Sequence, residues 1–389
     1  MKNLVSSNTG KMKAKKPVIL RGSESRLYTA VCPFVYIFRI FGVAPYEFAD
    51  DTLVPSCGNA IFSFVWIFGY SYIIYGVLTG FYHVDRGSLL LGHTETVKTV
   101  FNFLVSLMDI FIALYYRLTF TKIWNSIQDY DEKIRELGYA RSERRAGIFV
   151  WSALVVAFVM ILFIHRLGMF AFVQSWWDNV SYLLVYIGTA ISIVKFSSIL
   201  LLLADRFQQL NQIAINNIPV KPRWINIVPV VNAKTIERLH DDLMVMGEAL
   251  VSMYSWSLMA WVINLSFHLV FNLYFVIDWI LKPGNAWALV FCLLSWTVAF
   301  TAQLILLHYS CDWASTEASK MAYIMLSWKR WLYTRDRGLI VETSLHLKMR
   351  RLDFTAAGCF DVNLPLLRSI TATLTTYLVI LLQFSETPQ

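Results

Sequence analysis

Charge is scarce in this chain of 389 residues: only 15% are Asp, Glu, Lys or Arg, while 57% are hydrophobic and the mean hydropathy is +0.52. A soluble domain keeps its surface wet with about 25% charged residues and carries about 45 to 50% apolar ones. The deficit excludes a soluble enzyme or nucleic-acid binder, and the apolar surplus must face lipid. Cysteine is equally sparse. The five are Cys32, Cys57, Cys292, Cys311 and Cys359. None falls in a loop on the outer face assigned below, so no extracellular disulfide can be drawn, and metal-ligand spacing is missing. The first 26 residues lack an apolar core, so no cleavable signal peptide is expected; Lys11, Lys13, Lys15 and Lys16 predict a basic, lipid-facing cytoplasmic tail. A nucleophile, base and orienter grouping is also missing, as is a glycine-rich phosphate loop. Catalysis, a cofactor and a nucleic-acid partner are therefore not expected.

What the chain has in quantity is long apolar runs. About 20 apolar residues carry a helix across about 30 Å of hydrocarbon. Seven segments qualify: residues 59–82, 97–120, 146–168, 178–204, 256–280, 286–308 and 363–384. The fold class expected is an all-α membrane protein with seven transmembrane helices. An eighth run, residues 31–44, contains Arg39, Pro33 and Gly42 and is followed by Pro45, which reads as a re-entrant or interfacial segment.

Basic residues give the orientation, because cytoplasmic loops carry the excess of Lys and Arg. Of the 34, 27 fall in alternate segments on one side, while the opposite side holds only Arg86 and Lys282 in its loops and Arg166 at the outer end of the third span. This puts the N-terminus inside and the C-terminus outside, inverted relative to a G-protein-coupled receptor. The outer loops are short. The inner ones show helical periodicity in Trp124, Ile127, Tyr130, Ile134 and Leu137, and again in Ile236, Leu239, Leu243 and Met246. They predict cytoplasmic extensions of the spans that pack on one another or on another subunit. The chain then divides into residues 1–58 (cytoplasmic tail and re-entrant segment), 59–308 (ligand-binding bundle) and 309–389 (anchor helices and the seventh span).

Ionisable and polar groups within spans are functional candidates, because hydrocarbon penalises them. Asp109 and Lys195 lie at similar depth and are expected to meet as a structural ion pair. Arg117 and Arg368 sit near the inner boundary and can snorkel. The outer halves of spans 3 to 6 collect His165, Tyr186, His268, Asn272, Tyr274 and Trp296, with Trp176, Trp177, Trp279 and Trp287 as an interfacial belt. Aromatic walls with a few convergent polar groups are what a small-molecule site requires. Interhelical hydrogen bonds account for any single one of them equally well.

The seventh span carries Ser369, Thr373, Thr376, Ile380 and Gln383 at spacings of four, three, four and three, a stripe along one helix face. Copies around an axis would enclose a hydrated pore ringed by Gln383, with Phe384 as an apolar constriction. A buried interface explains the stripe as well.

The end of this span, Thr376-Tyr377, five apolar residues and Gln383-Phe384, resembles the signature that closes insect gustatory receptors. The IFRIFGVAP, ADRFQQLN, IERLHDDL and AAGCFDVNLPLL stretches are similar to that family as well. The resemblance implies a tastant-gated, non-selective cation channel of the plasma membrane, a homo- or heterotetramer in contact with membrane lipid. Thr373, Thr376, Tyr377, Ile380, Gln383 and Phe384 would form its pore and gate, and each subunit would hold a tastant in the outer half of its bundle. Receptors of the main sugar group usually carry Glu after the Thr-Tyr pair; Leu378 stands here and disfavours that subtype. The rival classes are a secondary transporter using Asp109 and Lys195, for which no internal repeat is found, and a G-protein-linked receptor of unusual topology.

Overall fold

The computed structural model describes residues 26–49, 52–81, 89–139, 144–172, 175–217, 231–281, 287–328 and 334–385. The basic cluster at residues 11–16 and Arg86 lie outside them. Ten helices and two small hairpins follow in order: α1 (Arg26–Ile40), β1 (Tyr46–Ala49), β2 (Thr52–Pro55), α2 (Cys57–Phe81), α3 (Leu89–Tyr115), α4 (Arg117–Glu136), α5 (Arg144–Phe172), α6 (Trp176–Asn216), α7 (Ala233–Leu281), α8 (Trp287–Trp328), α9 (Thr334–Met349), β3 (Thr355–Ala356), β4 (Phe360–Asp361) and α10 (Leu364–Ser385). Seven of the helices, α2, α3, α5, α6, α7, α8 and α10, are long and apolar enough to cross a membrane.

Helices α6, α7 and α8 contain 41, 49 and 42 residues. At 1.5 Å per residue each reaches roughly 60 to 75 Å, about twice a hydrocarbon core, so a span and a long extension form one rod. The amphipathic run at 236–246 is the lower part of α7. That at 124–137 is α4 with its C-terminal turn, separated from α3 only by Tyr116. These three rods are the most buried and form the centre. Helices α2 and α5 lie outside them, and α5 presents Trp151, Val155, Phe158 and Val159 outward. Trp176, Trp177 and Trp287 are half or more exposed at helix starts, as belt residues are.

The short apolar run at 31–44 is α1 and its turn. Gly42 has a φ of +71°, its N–H donates to the Arg39 carbonyl at 2.9 Å, and Val43 N–H donates to the Phe38 carbonyl at 3.0 Å, the Schellman closure that favours glycine. The β1–β2 hairpin that follows pairs Tyr46 with Pro55 through Ala49 with Thr52. It is pinned to α4 by Asn125, whose Oδ1 accepts from Leu53 N–H at 2.8 Å and whose Nδ2 donates to the Leu53 carbonyl at 3.0 Å.

Below the apolar spans, a polar layer joins the rods. Arg206 is fully buried and makes a two-pronged contact with Asp131, at 3.0 and 2.6 Å. Asn211 donates to Glu317 and His240 contacts the Ala318 carbonyl. Arg350 holds Glu248 and Asp241. The β3–β4 hairpin is tied to α7, since Ala357 N–H donates to the Ser255 carbonyl at 3.0 Å. Helix α10 starts from this layer: Asn363 Oδ1 accepts from Leu366 N–H, and Asp312 on α8 accepts from Leu364 N–H.

Two expectations change here. Asp109 and Lys195 form no ion pair, because they point to different neighbours. Asp109 accepts from Ser257 Oγ at 2.9 Å and Trp261 Nε1 at 2.8 Å on α7. Lys195 donates to the Val43 carbonyl at 2.6 Å and lies 4.4 Å above the Phe120 ring. The second membrane helix starts at Leu89 instead of residue 97 and ends at Tyr115. The apolar run read from the sequence stops short of Glu95, although the fold buries that charge against Lys98.

Candidate functional site

Four helices each turn one face toward a common point. Helix α3 brings Glu95 and Lys98, three residues apart; α6 brings Tyr182 and Tyr186, α7 brings His268 and Asn272, and α8 brings Trp296 and Phe300, each pair four apart. Such spacings stack side chains on one side of a helix. With Phe172 and Leu293 they line a narrow cavity whose free space is about 10 Å³, room for about one water molecule.

One wall of the cavity is aromatic. The Tyr186 and Trp296 ring centroids are 4.9 Å apart, and Trp296 and Phe300 stack at 5.5 Å. His268 stacks on Phe300 at 4.5 Å. The other wall is charged and almost wholly buried. Lys98 pairs with Glu95, each side chain 2% exposed, and Lys98 Nζ donates to Asn272 Oδ1 at 2.7 Å. Tyr182 OH donates to the Glu95 carboxylate at 2.7 Å, and Tyr186 OH lies 3.1 Å from Thr99 Oγ1. A buried charge is tolerated only when paired and hydrogen-bonded, and this pair is both. His268 is the exception. It is 1% exposed, and neither ring nitrogen has a hydrogen-bond partner. A buried polar group left in that state is poised for an incoming one.

Beneath the cavity a hydrogen-bonded network joins α2, α3, α6 and α7. Tyr70 OH donates to the Val185 carbonyl, Ser106 Oγ and Thr189 Oγ1 lie 2.7 Å apart, and Asn264 donates to Asn102 at 2.8 Å.

Of the six cavity candidates named from sequence, Tyr186, His268, Asn272 and Trp296 come together and two do not. His165 on α5 lies 2.9 Å from Asn179 Nδ2 and packs edge-on against Trp176. Tyr274 turns into a separate apolar cluster with Leu91, Phe275 and Leu289. Neither Glu95 nor Lys98 was among the candidates. The Glu-x-x-Lys spacing that opens the second membrane helix was the signal for both.

Helix α10 differs from every other span: no residue of its apolar window is buried within the subunit. Leu367, Ile370, Leu374, Leu378 and Leu381 rest against the bundle. The stripe of Ser369, Thr373, Thr376, Ile380 and Gln383 is centred about 140° further round the helix, at 100° per residue. Thr373, Thr376, Tyr377, Ile380 and Gln383 are all exposed. The hydroxyls of Ser369, Thr373 and Thr376 donate to carbonyls four residues earlier. They are thereby satisfied within the helix, leaving Gln383 as the stripe member whose side chain looks outward for partners. Phe384 occupies the last turn of the same helix.

The family model described as the 7tm chemosensory receptor matches residues 31–388. No curated protein matches the chain. Among solved structures, it is similar to the insect olfactory receptor OR5 from Machilis hrabei in complex with eugenol. The TM-score is 0.68 and the identity 15%, over 92% of this chain and 98% of that one. A second structure of that olfactory receptor OR5 from Machilis hrabei is similar with a TM-score of 0.67 and 14% identity, over the same shares. At these identities the likeness establishes the fold, and the family match supplies the rest. With seven helices long and apolar enough to cross a membrane and a family match over nearly its whole length, the chain is a multi-pass membrane protein belonging to the 7tm chemosensory receptor family.

Proposed function

We propose that this chemosensory receptor is a gustatory one, a tastant-gated cation channel of the plasma membrane whose subunits assemble around α10 as a tetramer. The observation that carries the reading is the exposure of α10, whose polar stripe turns away from its own subunit. A span with hydroxyls and a glutamine directed outward finds its place beside copies of itself around water. The Thr376-Tyr377 to Gln383-Phe384 ending supports the gustatory subtype. The charge bias supports an N-terminus in the cytoplasm and a C-terminus outside.

The tastant occupies the cavity between α3, α6, α7 and α8. Its aromatic wall takes an apolar or ring face, and His268, Lys98, Glu95 and Asn272 take hydrogen-bonding groups. A related receptor is solved in complex with eugenol, a small aromatic molecule, which supports a small organic ligand here. Binding opens the pore to the extent that the open arrangement binds more tightly, since equal affinity for both states shifts nothing. Helices α7 and α8 line the cavity and also carry α10, so a shift of either reaches the pore. The subunit acts as receptor and channel and catalyses no reaction.

The test is whole-cell current from the chain expressed alone, against a panel of sugars, alkaloids and amino acids with G-protein signalling blocked. A ligand-evoked cation current supports the reading. Saturable uptake without current, from a chain confirmed at the surface, overturns it in favour of a transporter.

A further inference from the structure

Helix α10 carries one ionisable group besides Tyr377: Arg368, four residues inside the apolar window that begins at Leu364, about 6 Å along the helix axis. Hydrocarbon penalises a charge, so an arginine at that depth faces a partner or water. Its side chain is exposed on the subunit, and among the described residues it has no carboxylate partner. The acids at this end sit a turn or more earlier. Asp312 on α8 accepts from Leu364 N–H at 3.3 Å, and Asp361 closes β4, three residues before the helix starts.

Azimuth places the charge beside the polar stripe. Consecutive helix positions differ by 100°, so Arg368 lies about 100° from Ser369, the lowest stripe residue, and about 120° from the centre of the leucine ridge that rests on the bundle. Thr371 and Thr375 share that flank, their hydroxyls closed on carbonyls four residues earlier. The flank is polar and turned away from its own subunit. From there the long stem of an arginine carries the guanidinium to the mouth of whatever the stripe encloses. Rings of charged side chains tune which ions enter a pore. We infer that Arg368 of each copy contributes to a ring of positive charge at the cytoplasmic mouth of the pore, which thins cations there and makes inward current flow more readily than outward. The inference rests on the tetrameric pore of α10 and adds its rectification. With each charge about 10 Å from the ion, water as dielectric and a Debye length of about 8 Å, four of them lower the local monovalent cation concentration about twofold. The positive ends of the helix N-termini act in the same sense. Asp312 and Asp361 oppose it from further out, where screening weakens them.

Single-channel currents are recorded in planar bilayers from the purified full-length receptor, in symmetrical KCl of about 0.15 M, with a panel of sugars, alkaloids and amino acids applied in turn. Wild type should pass more inward than outward current. Arg368→Gln should raise outward current about twofold and Arg368→Glu about fivefold, with much smaller changes inward. Raising KCl to about 1 M should erase these differences, because the Debye length falls to about 3 Å. Arg117→Gln removes an inner-boundary charge on α4, which packs against α7 and the β1–β2 hairpin, and should leave rectification as in wild type. In a background with Cys57 and Cys359 replaced, Arg368→Cys should regain wild-type rectification when a trimethylammonium methanethiosulfonate returns the charge, and not with neutral methyl methanethiosulfonate. Outward current unchanged in Arg368→Gln and Arg368→Glu, while a charged methanethiosulfonate still blocks at Gln383→Cys, overturns the ring and leaves the pore standing. Tetramers that dissociate on Arg368→Gln, read by native mass spectrometry, make Arg368 a contact between copies and overturn the ring likewise. Currents insensitive to modification at Gln383→Cys, or no stepwise current under any condition, overturn pore and ring together.

Discussion

The buried pair Glu95 and Lys98 gives the sharpest energetic test of the cavity between α3, α6, α7 and α8. Both side chains are 2% exposed. Lys98→Met keeps length and removes charge. It removes the ammonium from the Glu95 carboxylate, which keeps its hydrogen bond from Tyr182, and from Asn272 Oδ1. Removing one partner of a buried pair costs about 3 to 5 kcal/mol, because the other charge stays buried. Glu95→Gln leaves the ammonium with Asn272 alone and costs a similar amount. The double variant has no uncompensated charge and retains the van der Waals contacts. Its cost should fall to about 1 or 2 kcal/mol, well short of the sum of the singles. The implied coupling, roughly 4 to 9 kcal/mol, exceeds the about 0.5 to 3 kcal/mol usual for groups in contact, because each single variant leaves an uncompensated charge buried. Unfolding free energies of all four forms are measured by SDS titration of purified receptor. Single-variant costs that add to within about 0.5 kcal/mol, the behaviour of independent sites, would refute the placement of a buried, mutually dependent pair in the cavity wall.

Trp296→Ala and His268→Leu should shift the ligand response curve while leaving single-channel conductance at its wild-type value; a changed conductance would place these residues in the pore instead. Gly247 sits where an added Cβ would approach the Leu352 side chain at 2.7 Å, so Gly247→Val should destabilise by about 1 to 3 kcal/mol through overpacking, with partial recovery in the double variant carrying Leu352→Ala. On the part of α7 below the apolar span, hydrogen bonding to Arg350 holds the Glu248 carboxyl below its ordinary value. A depressed folded-state value means stability present above the unfolded pKa and lost as pH falls through the folded one. Wild type should therefore lose up to about 1 kcal/mol more than Glu248→Gln on acidification from neutral to below the carboxylate range, read as thermal midpoints across pH. Equal acid sensitivity in both would count against that contact.

The spans were legible because hydrocarbon imposes length and apolarity on each, and the amphipathic runs at 124–137 and 236–246 already marked the extensions of α4 and α7. Azimuth was harder to read than depth. His268 and Asn272 differ by four positions and share the cavity face, whereas Tyr274, only two residues on, is rotated 200° and packs elsewhere. Asp109 and Lys195 share a depth, yet one turns to α7 and the other to the turn after α1. Glu95 was hidden because a hydropathy window treats two opposite charges as two penalties, while the fold buries them as a neutral pair. The β1–β2 hairpin was invisible for a different reason: its strands are four residues each, and its register is held by Asn125, more than seventy positions away. Nor does a sequence stripe tell whether it faces its own bundle. On α10 the apolar ridge of Leu367, Leu374, Leu378 and Leu381 takes that role, which frees the polar stripe for other copies.

Cysteine accessibility along α10 tests the central claim most directly. Single cysteines are placed at Ser369, Thr373, Thr376, Ile380 and Gln383, and at Leu374 and Leu378 as inward controls, in a background whose exposed native Cys57 and Cys359 are replaced. A charged methanethiosulfonate is applied during ligand-evoked current. The account predicts block at the five stripe positions with a period of three to four residues and none at the two leucines. Block at the leucines with the stripe insensitive, or current unaffected at every position, would contradict a pore lined by α10.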